Sequence, residues 1–181
     1  MIGGFALMLI APIRSIFLAD CTQVSMGNLA VAKCVFVGIG LAASSIFWKR
    51  GLNKIGINRT MIWILTGFAL FPLLLFMTQY HIYWLYIAHL IYGIAQAGSH
   101  LIWHLSGTIF AQNKNSLPYT TVNVLMIGIR GAIGPFFGLV FCQTLGPIFT
   151  LILGSLIALS GSFYLIRKSV SQKNRPPIED F

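Results

Sequence analysis

Nearly unbroken apolar sequence recurs six times along the chain, each run divided from the next by a short polar interval. A membrane-spanning helix needs about 20 mostly apolar residues. Six runs meet that length: about 2–19, 27–47, 60–78, 82–105, 118–141 and 146–167. Pro118 and Pro147 fall at the start of the fifth and sixth runs. A first helical turn tolerates proline there, because its N–H would be unpaired anyway. The segment 168–181 is polar, contains Pro176 and Pro177, and reads as a disordered tail.

The polar intervals carry their charge unevenly. Lys49, Arg50, Lys54 and Arg59 lie between runs two and three, and Lys114 lies between runs four and five. Arg167, Lys168, Lys173 and Arg175 lie at the end of run six and in the tail. The other three intervals contain no Lys or Arg. Basic loops stay in the cytoplasm, so this asymmetry predicts six crossings with both termini cytoplasmic. The expected location is a multi-pass protein of the cytoplasmic (inner) membrane.

Composition agrees with that expectation. Only 8% of residues are charged, against roughly 25% in a soluble domain, too few to coat a surface facing water. The net charge of +9 does not point to nucleic acid, because the basic residues cluster in loops on one side. Run one has no basic lead-in, and Arg14 interrupts it, so it reads as a membrane helix and not as a cleaved signal. Apolar sequence already begins at residue 2, which leads us to expect a piece of something longer. Cys21, Cys34 and Cys142 have neither metal-ligand spacing nor a disulfide pattern.

Two stretches resemble a known family. The interval "NKIGINR" (53–59) is similar to the loop motif of major facilitator superfamily transporters, with Lys54, Gly56 and Arg59 matching. Asn53 stands at the family's acidic position, and Lys49 where it has a glycine. In run five, "GIRGAIGPFFG" (128–138) resembles the family's glycine-proline motif through Gly131, Gly134, Pro135 and Gly138. The resemblance implies the C-terminal six-helix half of such a transporter. That half would work by alternating access around a midplane site, together with a second six-helix half or by self-association. In physical terms, small residues at this spacing let two helix backbones approach closely, and Pro135 can kink the helix.

Candidate binding residues follow from polar groups placed in apolar runs. Arg14, Lys33 and Arg130 are basic, and no acid lies in any helix core; Asp20 sits at an outer edge. A charge in the membrane is expensive and normally faces a cavity or a partner. Guanidinium and ammonium groups suit carboxylate or phosphate, so a small organic anion is the expected solute. For Arg14 and Lys33 the alternative is snorkelling toward the outer headgroups. For Arg130 the alternative is an ion pair with an acid on a partner half. In run four, His89, Gly93, Gln96, His100 and His104 share one helical face. His89 and Gln96 are the candidate solute contacts, with interhelical hydrogen bonding the alternative. "HLIWH" has two histidines at i and i+4 but lacks a third ligand and a glutamate, so no metal or cofactor is expected. Trp48, Tyr83 and Trp84 read as interfacial anchors.

Two other functions compete. A six-helix substrate-binding membrane subunit of an ATP-driven vitamin importer would be similarly basic and similar in length, but would not be expected to carry the glycine-proline motif. An intramembrane serine protease would need a serine and a histidine on neighbouring helices. Ser106 has no histidine opposite it in runs five or six, so no enzymatic activity is expected.

Overall fold

The computed structural model describes residues 2–22, 24–111 and 117–173. Every regular element among them is helical: α1 Ile2–Cys21, α2 Met26–Val31, α3 Val37–Phe76, α4 Tyr83–Ala111, α5 Leu117–Leu145 and α6 Pro147–Lys173. A π-helical turn, Ala32–Phe36, joins α2 to α3, and a 3-10 turn, Met77–Gln79, follows α3. Among the described residues, Gly4–Cys21, Met26–Gln79, Thr120–Leu145 and Pro147–Arg167 are each long and apolar enough to cross a membrane. In hydrocarbon every backbone N–H and C=O must be satisfied internally, and a helix does this within one segment.

The polar interval at 48–59, expected to be a loop, is helical on both sides of a single break. Gly56 takes φ 79° and ψ 168°, a backbone conformation open chiefly to glycine. The chain doubles back at this residue. Before the break, Val37 meets Gly93 and Trp48 meets Gly98, so this part of α3 runs parallel to α4. After it, Ile64 meets Gly98, Gly67 meets Ala95, and Phe71 meets His89, so the second part runs antiparallel. Lys54, Gly56 and Arg59 therefore sit at the tip of a helical hairpin.

Other boundaries move outward. α4 continues past 105 to Ala111, and α6 continues past 167 to Lys173. The sequence from 168 to 173 has no glycine or proline to stop a helix; the first proline is Pro176. The rest of the expected tail, 174–181, and Lys114 lie outside the described residues. Between α5 and α6, Gly146 has φ 88° and its N–H donates to the Cys142 carbonyl at 2.9 Å. That is a left-handed helix cap, and Pro147 starts the next helix directly.

Close approach of small residues sets the packing. A Cβ at Gly40 would come within 2.6 Å of the Leu90 carbonyl and 3.1 Å of the Gly93 Cα. The α3–α4 crossing is therefore backbone against backbone. Hydroxyls tie α6 to α3: Ser155 donates to the Ala69 carbonyl at 2.6 Å, and Thr66 and Ser162 are 3.3 Å apart. The main core gathers Leu9, Ile13, Phe17, Phe71, Leu75, Leu85 and Leu151.

Candidate functional site

α1 and α5 meet along a glycine seam. A Cβ on Gly134 would lie 2.8 Å from the Met8 Cβ, and one on Gly138 would overlap the Leu9 carbonyl. Gly134 and Gly138 thus sit where the two helices come closest. Gly131 does not, because nothing lies within 4 Å of its Cβ direction. Pro135 is partly buried within the same helix. One turn below this seam, Gly4 abuts the Arg130 guanidinium closely enough that a Cβ on Gly4 would collide with it. The contacts 4–130, 8–134 and 9–138 rise together, so α1 and α5 run parallel.

Beside Arg130 lies a cavity of about 460 Å³, bounded by α1, α3, α4, α5 and α6. Leu7, Met8, Met61, Ile64, Phe68, Ile102 and Met126 give it an apolar wall. Ser99, Asn123 and Tyr164 add neutral polar groups, and Arg130 is the one charged residue among the described lining. Its volume lies in the range of small-ligand sites, about 300–1,000 Å³. The guanidinium carbon of Arg130 stands 4.9 Å from the centroid of the Trp103 ring. That distance is within cation–π range. Buried Arg130 Nε has no hydrogen-bond partner among the described residues. Apart from Phe68, near the middle of the second part of α3, the lining residues lie in the halves of their helices at the basic-interval end of the bundle.

The other sequence candidates collect elsewhere. Arg14 lies with its guanidinium carbon 5.9 Å from both the Phe71 and Tyr92 ring centroids. Phe71 also meets His89 edge-on, at 5.6 Å between centroids. His89 is wholly buried, and its Nδ1 lies 2.8 Å from the Leu85 carbonyl oxygen. Lys33, on the π-helical turn, is near enough to Arg14 for their charges to interact. Arg14 and His89 therefore meet around the Phe71 ring, and neither they nor Lys33 line the cavity. Buried Arg14 Nε and His89 Nε2 have no hydrogen-bond partner among the described residues.

Gln96 lines no part of the cavity; its amide nitrogen lies 3.2 Å from His100 Nε2 on the next turn of α4. The side chain of His104 lies outside the described residues. Trp48 is not a headgroup anchor. It is 6% exposed, donates from its indole nitrogen to the Ile94 carbonyl at 2.7 Å, and packs against Gly98. Tyr83 is exposed and Trp84 partly so. Among the described residues no three His, Cys, Asp or Glu side chains come together as metal ligands would.

Sequence reasoning missed Asn123, Phe68, Met61 and Tyr164 as cavity residues. One signal was present: Asn123, Met126 and Arg130 are spaced 3 and 4, which places them on one face of α5. Compared with known families, characterised proteins and solved structures, the chain matches none.

Proposed function

We propose that this chain is one half of a secondary transporter of the major facilitator type and that it holds a small organic anion at Arg130. The supporting observation is the placement of one guanidinium, Arg130, beside a cavity whose described lining holds no other charged side chain. The chain has three acids, Asp20, Glu179 and Asp180, and none lies in a helix core. A charge so placed is stabilised by an anionic solute or by an acid on a partner.

Helix direction supports six crossings. α1 and α5 run parallel, so an odd number of crossings separates them. Counting α4 as one, the stretch 26–79 must contribute two, which fits its reversal at Gly56. Six crossings put the cavity on the cytoplasmic side with both termini. In alternating access this is the inward-open arrangement of one wall, and a second half or a second copy completes it.

The test is anion binding by the full chain in lipid nanodiscs, comparing wild type with Arg130→Met. Carboxylates and phosphates, supplied as a labelled panel, should include at least one ligand whose affinity falls about tenfold or more in the variant. If no ligand shows an Arg130-dependent affinity, the anion assignment is wrong.

A further inference from the structure

The cavity's chemistry says more about the solute than its sign. We infer that the site takes a monovalent carboxylate with a compact apolar body, and discriminates against phosphates, polyanions and neutral isosteres. This rests on the reading of Arg130 as the anion ligand.

Charge count comes first. Arg130 is the one charged side chain among the described lining residues. A second negative charge would sit in the apolar wall without a counter-ion, and an unpaired charge in such surroundings is strongly disfavoured. One guanidinium therefore balances one carboxylate. Its chemistry agrees: the guanidinium carbon lies 4.9 Å from the Trp103 ring centroid, within cation–π range, and a guanidinium fork matches a carboxylate with two parallel hydrogen bonds. A neutral body of the same shape would leave the Arg130 charge without a counter-ion, and sites built around such a group reject ligands that cannot satisfy it.

The wall comes second. Met8, Met61 and Met126 come from three different helices, with Ile64 and Phe68 beside them. Thioether side chains are unbranched and polarizable and adapt to irregular partners. They fit an apolar body better than a sugar or a polyol, and they tolerate several body shapes. Along α5, Arg130 is the lining residue farthest from the basic-interval end and Asn123 the nearest. The carboxylate thus enters first and deepest, with the body between the methionines.

The experiment uses the full chain in phosphatidylcholine nanodiscs, with empty nanodiscs correcting for partition into lipid. Equilibrium dialysis measures radiolabelled 2-naphthoate, then competition by octanoate, citrate, inorganic phosphate and neutral 2-naphthylmethanol. We expect 2-naphthoate and octanoate to compete with one another. Citrate, phosphate and the alcohol should each bind about tenfold or more weakly. Arg130→Gln should abolish the difference between acid and alcohol. The wild-type selectivity series stands on its own if that variant fails to fold. Arg130-dependent binding that favours citrate or phosphate overturns the monocarboxylate class while leaving the anion site intact. Equal binding of acid and alcohol, or none, overturns both. Loss of 2-naphthoate binding in phosphatidylglycerol nanodiscs, with wild-type protein, would make the occupant a lipid phosphate and overturn the soluble-carboxylate assignment.

Discussion

Two basic centres lie beside α1, and they differ in what surrounds them. Near Gly4, Arg130 lies over one ring, Trp103, and lines a cavity. Ten residues further along α1, about 15 Å of helix rise, Arg14 lies 5.9 Å from each of the paired Phe71 and Tyr92 rings, and Phe71 meets a wholly buried His89. Both centres are basic and both hold a buried nitrogen with no hydrogen-bond partner among the described residues. The cavity is lined by Arg130 and not by Arg14. A charge within a helix therefore marks a candidate, and the space beside it decides between a binding group and a group packed into the bundle.

The largest expected effect breaks the seam that places both centres. Gly138→Leu drives a side chain into the Leu9 backbone, and overpacking of this kind costs about 1–3 kcal/mol or more. The purified protein should unfold at lower temperature or fail to assemble, whereas Gly131→Leu, with open space around it, should behave as wild type. Similar melting of both variants would show that α1 and α5 do not pack as described.

Next comes the direct contrast of the two arginines. Arg130→Met should weaken carboxylate binding by about 10- to 100-fold, the value of a charged hydrogen bond. Arg14→Met should change it by less than about threefold, since additivity holds for separated sites. Equal losses in a binding isotherm would merge the two centres into one. Gly4→Ala sharpens the same contrast. Its methyl displaces the guanidinium and should weaken binding by several-fold without loss of folded protein. Smallest of all, His89→Leu removes one hydrogen bond to Leu85 and an orphan nitrogen together. Stability should shift by at most about 1.5 kcal/mol, and anion affinity should not move.

The helical, membrane-spanning character was legible in the sequence, because period and length decide it locally. Arg130, Gly134 and Gly138 stand out in the sequence as a charge and small residues within an apolar run; the structure sets Arg130 beside the cavity and the two glycines against α1. The face of a helix that meets a void is a property of its neighbours, so His89, Gln96 and Asn123 could not be sorted by spacing alone. His89 shares a stripe with Gln96 yet points into the Phe71 ring. Gly93 sits in that same polar stripe and serves instead as the landing point of Val37. The interval at 48–59 reads as a loop by its charges. Lys, Arg and Asn are all compatible with helix, and only Gly56 supplies the conformation that turns the chain.

The cavity's side of the membrane and its occupancy can be tested together. With Cys21, Cys34 and Cys142 replaced by serine or alanine, Asn123→Cys is placed in the lining of α5. A membrane-impermeant maleimide should label it in inside-out vesicles and not in right-side-out ones, and 2-naphthoate should slow the labelling unless Arg130→Met is also present. Labelling from the outer face, or labelling that 2-naphthoate does not slow while Arg130 is intact, would contradict a cytoplasm-facing anion site at Arg130.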